Sequence, residues 1–411
     1  MAMTQDTPTN KTTPPFPLNG IKVIEFCHMV MGPTCGMILA DLGADVVKVE
    51  PLKGETTRRL VHQGAGFFAS YNRNKRSIAL DIKTPKGLKA AKRLVYSADI
   101  MIENLRPGAL DKVGLGYKNL KHKNPGLIYC ALKGFLNGPY VNRKALDEVV
   151  QMMAGLAYMT GPEGRPLRAG ASVIDIMGGM FGVIGIQAAL RERETTGLGQ
   201  KVTAALYETA VHTVAQHMMQ FAVTGIPAGP MPNHPRAWSV YDTFKTSDGE
   251  SVFVGIVSDT QWRLFCEAFN QHDLLMEQTL QTNSLRFKAR ERIIPIIQDI
   301  FRTMTKDQLM QTCDEIGLPF APISKPHELF DDPHLNQSGN MSEITLSSGN
   351  RSRIPGLPIE IGGRRTTIWR DLPGVGEHGL QILKEVGYTN SEIENLHTSG
   401  ALLRPRKSRS D

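Results

Sequence analysis

"IKVIEFCHMVMGPTCGMILADLGADVVKVE", residues 21–50, decides the fold. It opens on a β-rich run, IKVIEF (21–26), breaks at Gly32-Pro33, continues as the helix-like TCGMILADLG (34–43) and closes on a second strand pattern, ADVVKVE (44–50). That is a β-α-β unit. The alternation carries on with RSIALDI (76–82), the helical PKGLKAAKRLVYSA (85–98), DIMIENL (99–105) and GLIYCALKGF (126–135). Strands that alternate with helices in this way form a parallel sheet covered on its faces, so the N-terminal part is α/β and Rossmann-like. No G-x-G-x-x-G follows the first strand, and HMVMGP (28–33) cannot replace that phosphate loop, which argues against a nicotinamide cofactor.

With 411 residues, 41% of them hydrophobic, the chain can build two or three domains with substantial cores. A leader without ordered structure is expected over 1–17, where the residues are polar and proline-rich with no secretory pattern. No apolar run is read as reaching the eighteen or so residues that span a bilayer, so a cytoplasmic protein without membrane contact is expected. Past the glycine-rich helix expected at 177–192, GQKVTAALYETAVHTVAQHMMQFAVTG reads as a strand entering a long apolar helix, and GIPAGPMPNHPRA (225–237) reads as a linker. A small domain is expected over 225–334, with two strands in YDTFKTSDGESVFVGIV (241–257) joined at a Ser-Asp-Gly turn and proline-broken helices over 260–333. From 335 the chain turns strand-rich and then ends in a helix, GLQILKEVG (379–387).

Five scattered cysteines with no C-x-x-C pair argue against a disulfide framework and against a metal site. The formal charge of +7 includes one dense basic run, in the tail at 404–411, with no aromatic-basic motif beside it. Nucleic acid is therefore not expected, whereas dispersed lysines and arginines suit a small phosphorylated ligand.

One carboxylate stands out. In RAGASVIDIMGGMFGVIGIQAAL (168–190), Asp175 is embedded in apolar residues and glycines. Desolvating an ionised carboxylate is costly unless hydrogen bonds or a counter-charge compensate. On the residues alone two readings stay open. Asp175 follows the strand-like ASVI and can cap the next helix, or it serves chemistry.

Several segments, in order, resemble the family III CoA-transferases (the CaiB/BaiF family). They are LNGIKVIEFCHMVMGPTCGMILADLGADVVKVEP, NRNKRSIALDIKTPKG, ADIMIENLRPGALDKVGLGY, NPGLIYCALKGF, the Asp175 stretch, TGLGQKV, YDTFKTSDG, DDPHL and GEHGLQILKEVGY. The resemblance implies a Rossmann-like large domain formed by both chain ends (18–224 and 335–411), a smaller α+β domain between, and a homodimer of interlocked rings. It implies that Asp175 is a nucleophile whose cap-like backbone contacts keep it ionised. Coenzyme A enters as acyl-CoA substrate, with no tightly bound cofactor, and a small carboxylic acid is the other substrate.

By the same resemblance Asn72, Arg73, Lys75, Asn104, Arg106, Lys112 and Lys133 are expected at the CoA phosphates, and His28, His234 and Arg236 near the substrate. Gly178 and Gly179 are candidate sources of oxyanion amides, or glycines that let helices pack closely. Glu50 and Arg58 read equally well as a structural ion pair. Two departures weigh against formyl transfer to oxalate. The tetraglycine loop of formyl-CoA transferase is replaced by MPNHPRAWSVYDTF (231–244), and its CoA-site glutamine by Val30. A related α-methylacyl-CoA racemase is the alternative activity, but KALDEVV (144–150) puts Leu146 where those enzymes carry a histidine. A further alternative is an inactive CoA-binding protein. The expected reaction moves CoA from succinyl-CoA, or another dicarboxyl-CoA, to a C4 to C6 dicarboxylate.

Overall fold

Alternate residues along the central strands enter two different cores. Val23, Val46, Ile100, Ile102, Ile128, Cys130 and Leu132 pack on one face of the sheet. Ile24, Val47, Val49, Met101, Tyr129 and Ala131 pack on the other. Strands apolar on both sides belong to a parallel sheet sandwiched by helices. A computed structural model describes residues 16–231 and 238–404 and has that architecture. Its strands β1 (Lys22–Phe26), β2 (Asp45–Glu50), β3 (Arg76–Ala79), β4 (Ile100–Glu103), β5 (Ile128–Lys133) and β6 (Lys201–Ala205) form one six-stranded sheet in the order β3-β2-β1-β4-β5-β6. All five pairings are parallel. The order reverses between β1 and β4, and a crevice opens at such a switch point.

The helices that matter to the site are α1 (Met31–Asp41), α2 (Phe67–Tyr71), α3 (Pro85–Tyr96), α4 (Tyr117–Leu120), α5 (Asp147–Met153), α6 (Leu156–Thr160), α7 (Val173–Thr196) and α8 (Leu206–Thr224). Two expectations are corrected here. Gly32-Pro33 does not interrupt the chain before α1. Proline is tolerated in a first helical turn, where its missing N–H has no partner to lose. ASVI is likewise no strand, because Val173 and Ile174 already belong to α7.

By length and composition α7 is apolar enough to cross a membrane, contrary to the reading that no such run exists. It is a packing helix whose buried face, Ile174, Gly178, Gly179, Gly182, Val183 and Ile186, lies against α1 and the sheet. A methyl group at Gly179 would sit 2.7 Å from the Met31 carbonyl oxygen and 3.1 Å from the Cys35 amide nitrogen. The two helices therefore touch backbone to backbone at this point.

Between α1 and the sheet lies a buried charge network. Glu25 on β1, Lys48 on β2 and Lys75 just before β3 are each 0% exposed. Lys48 Nζ lies 3.0 Å from Glu25 and 2.5 Å from Glu55, while Lys75 Nζ lies 2.7 Å from the other Glu25 oxygen and donates to the Pro33 carbonyl at 2.9 Å. Burial opposes the Lys48 charge, but Glu25 and Glu55 outweigh it and its pKa rises. Burial wins at Lys75, whose pKa falls despite Glu25. Room for the network comes from Gly36 on α1, where a Cβ would fall 1.8 Å from Glu25 Oε2.

The chain separates into two compact units, one ending near residue 232 and resuming at 334, the other between. In the first, residues after 334 return to the sheet. The helices Gly379–Glu385 and Asn390–Thr398 bury Ile382, Leu383, Ile393 and Leu396 in the core under β2 and β3. Leu402 bridges Leu80 at the outer side of β3. Asn74, in the left-handed conformation at φ 62°, accepts from the amides of Trp369 and Arg370 at 2.8 and 2.9 Å. The second unit is α+β, with β7 (Val240–Lys245), β8 (Ser251–Ile256) and β9 (Phe320–Pro322) in an antiparallel sheet over its own apolar core. The leader at 1–15 and the tail at 405–411 lie outside the described residues.

Candidate active site

Asp175 occupies the first turn of α7, where amides still lack helical partners. Ser172, the residue before the helix, makes no side-chain cap. The cap comes from elsewhere. Asp147, at the head of α5 and 6% exposed, accepts from the Ile174 amide at 2.9 Å and the Asp175 amide at 3.1 Å through one oxygen. Its other oxygen accepts from Gln151 Nε2 at 2.5 Å, and Gln151 Oε1 accepts from the Ala169 amide at 2.9 Å.

Asp175 is thus not the helix cap, and the expected backbone contacts to its carboxylate are made by Asp147 instead. Burial first, and the Asp147 charge second, push the Asp175 carboxyl up to about 7, with Arg168 pulling the other way. Tyr71 on α2 feels the same pair. Burial, then Asp175 and Asp147, raise its pKa, so it remains a phenol able to donate. The sequence reading stops one residue short of each, since Asn72 and Leu146 are matched to family site positions and their neighbours Tyr71 and Asp147 are not.

The glycines at 178 and 179 are corrected as oxyanion donors. Their amides lie inside a continuous α-helix, where N–H groups bond to carbonyls four residues back, and their missing side chains admit α1.

A cavity of about 650 Å³ opens at the C-terminal ends of β1, β2 and β3, lined by Phe26, His28, Glu50, Lys53, Leu80 and Lys83 among others. His28 forms its lip, and burial lowers the His28 pKa, which keeps the ring neutral at pH 7. The turn is held rigidly. Asn104, beyond β4, accepts from the His28 amide at 3.0 Å and donates to the His28 carbonyl at 2.7 Å, and Met29 adopts a left-handed φ of 64° with its amide on Glu55 at 2.8 Å. The next residues, Val30 and Met31, enter α1 at the point where Met31 lies against Gly178 of α7. One turn of chain therefore joins the lip of the cavity to the helix that carries Asp175.

The expected CoA contacts divide. Asn72, Arg73 and Lys75 are at most 3% exposed and have internal partners: Asn72 donates to the Phe68 carbonyl at 3.0 Å, Arg73 grips Asp41 at 2.6 Å and Lys75 joins Glu25. Their segment ties the sheet together and offers no charge to a ligand. Asn104 acts on the His28 backbone. Lys133 pairs with Glu103 at 2.5 Å. Arg106 and Lys112 are exposed, as are Lys53 and Lys83 at the cavity, two cations the sequence reading passed over. Arg58 holds both oxygens of Glu50, at 2.8 and 2.6 Å, so that pair is structural. His234 and Arg236 lie outside the described residues. Leu146, at the racemase histidine position, is 66% exposed.

The helix that carries the partly buried Asp175 thus packs on the turn that forms the lip of a cavity at the C-terminal ends of parallel strands, where open α/β sheets bind their ligands. Residues 18–379 match the family described as CoA-transferase family III. The chain belongs to that family and is a CoA-transferase of this class. It is 35% identical over 386 residues to a succinate–glutarate CoA-transferase of Agrobacterium fabrum, covering 90% of this chain and 96% of that one. It is 32% identical over 421 residues to a formyl-CoA:oxalate CoA-transferase of Rhodopseudomonas palustris, covering 95% and 98%. Among solved structures, a CAIB/BAIF family protein from Brucella suis superposes with a TM-score of 0.82 at 33% identity, over 91% of this chain and all of that one.

Proposed function

We propose that the enzyme transfers CoA from succinyl-CoA, or another dicarboxyl-CoA, to a C4 to C6 dicarboxylic acid through covalent intermediates on Asp175. The observation that carries this reading is a partly buried carboxylate with no counter-ion in hydrogen-bonding contact among the described residues, at the head of α7, in a family that moves CoA between acids. The Asp175 carboxylate attacks the thioester carbonyl, forming a mixed anhydride and expelling CoA thiolate. The thiolate attacks the aspartyl carbonyl, giving an aspartyl-CoA thioester and the free donor acid. The acceptor carboxylate attacks that thioester, expelling CoA thiolate and leaving a second mixed anhydride, and the thiolate then attacks the acceptor acyl carbonyl, giving the new acyl-CoA and freeing the Asp175 carboxylate. The Tyr71 phenol is an available donor to a developing oxyanion.

The succinate–glutarate relative supports the dicarboxylate class. Incubating succinyl-CoA with succinate, glutarate, adipate and oxalate separately, and reading the acyl-CoA products by mass spectrometry, tests it. Glutaryl-CoA or adipyl-CoA is the expected product, and transfer confined to oxalate or to monocarboxylates overturns the assignment.

The cavity between β1 and β3 is proposed to take the CoA nucleotide, with Arg106, Lys112, Lys53 and Lys83 around its phosphates. Each exposed contact contributes about 1 kcal/mol, so Lys112→Ala and Lys83→Ala should each raise KM for acyl-CoA roughly three- to ten-fold while sparing KM for the free acid. Equal rises for both substrates in initial-rate kinetics argue against the placement. A homodimer of interlocked subunits is proposed as the working form. Met180 and Ile184 on α7, and Met218, Met219 and Phe221 on α8, are 47% to 60% exposed, more apolar surface on two neighbouring helices than a lone subunit usually leaves in water. The large unit is proposed to comprise 18–224 and 335–411.

A further inference from the structure

Asp147 lies 28 residues before Asp175, on a different helix, and yet its carboxylate takes the two amides at the head of α7. Those amides are the natural resting place for any anion in that turn, Asp175 included. We propose that Asp147 is a positioning residue for the transfer reaction. It fixes the head of α7 and withholds its free amides from Asp175, so that the nucleophile is an unstabilised, reactive carboxylate and not a satisfied cap. The inference rests on Asp175 being the nucleophile.

Three features carry it. Asp147 is 6% exposed and both its oxygens are bonded, so it is a fixed group. Its partner Gln151 reaches forward to the Ala169 amide, so one carboxylate-amide pair holds both the loop before α7 and the helix itself. Among the described residues, Asp147 from α5 and Arg168 from the preceding loop act on Asp175, and the Tyr71 phenol of α2 feels the Asp175–Asp147 pair. Arg168 in turn stands 3.9 Å from Glu148, which dilutes its positive charge. A carboxylate kept more basic than the acids it exchanges is the stronger attacking group on a thioester, provided the pH leaves it ionised.

The test measures the rate at which Asp175 acquires acyl or CoA label from succinyl-CoA without acceptor, between pH 5 and 8.5, in the wild type and two variants. Asp147→Asn keeps one oxygen to accept from the amides and removes the charge. Its acid limb should move down by about one pH unit, making labelling at pH 5.5 roughly eight-fold faster than wild type. Asp147→Ala also loses the anchor, so its limb should move down while its plateau rate falls on the order of ten-fold or more. Melting curves accompany each variant, and Asp147→Asn, whose Nδ2 faces Gln151 Nε2 where an acceptor stood, should melt a few degrees lower than the wild type while remaining folded. A purely structural cap predicts the opposite pattern for Asp147→Asn, an unmoved limb with Asp175 still labelled, and that result overturns the inference while leaving the nucleophile assignment standing. Absence of label on Asp175 in the wild type overturns the assignment itself, and the inference with it.

Discussion

Asp175→Ala and Asp175→Asn should both lose CoA transfer by at least three orders of magnitude, because neither can form an anhydride, and both should fold. The asparagine variant is the decisive one. It retains size and polarity, and the helix cap it leaves behind belongs to Asp147. Wild-type enzyme mixed with acyl-CoA and no acceptor should gain mass on the Asp175 peptide. Hydroxylamine should convert that residue to a hydroxamate. Normal turnover by Asp175→Asn, or label on another carboxylate, ends the assignment.

The same substitution should alter stability in a direction set by pH. The folded-state carboxyl, at about 7, lies above its ordinary 3.8, so the folded protein binds this proton more tightly than the unfolded chain. The resulting destabilisation is absent below about pH 4, grows between the two values and is complete above about 7. Asp175→Asn removes it. The variant should therefore melt a few degrees higher than wild type at pH 8 and nearly level with it at pH 4.

Lys75→Met should fail by a different route, losing on the order of 3–5 kcal/mol of stability and much of its soluble yield, since it leaves one Glu25 oxygen buried without its cation. Gly36→Ala should do comparable damage from the opposite side, by driving a methyl group into that oxygen. Calorimetry and soluble expression measure both. A Lys75→Met enzyme with an unchanged melting temperature and a raised KM for acyl-CoA would restore the ligand-binding role the sequence suggested for it.

That reversal shows where sequence reasoning stops. The central strands β1, β2, β4 and β5 were legible because they send apolar residues to both faces, and α3 was legible because a proline opens it. The helix Asn390–Thr398 was also legible, though the reading passed over it: Thr389 accepts from the Glu392 amide, and Glu392 reaches back to the Thr389 amide, the reciprocal cap that T-x-x-E signals. Asp175 announced itself through contrast with its neighbours. Asp147 did not, because a carboxylate at the start of a short helix looks ordinary until the fold carries it to another helix. The run of cations from Arg73 to Arg76 misled for the same reason. Charge suggests a phosphate, but whether a cation meets solvent or Asp41, Glu25 and Asp45 depends on residues 30 to 50 positions away.

The return of residues 401–403 to β3 bears on how the protein is made. The Asp81 amide bonds to the Ala401 carbonyl and the Leu403 amide to the Ala79 carbonyl, so the open edge of the sheet is closed by nearly the last described residues. During synthesis that edge, and the apolar surface later covered by Ile382, Leu383 and Leu396, must wait until residues 380–403 have left the ribosome. The intervening unit, contiguous in sequence, can fold while the larger one is still unfinished. A nascent chain stalled before residue 380 would therefore carry a finished small unit beside an uncapped strand, the state in which this protein is most exposed to aggregation and most in need of a chaperone.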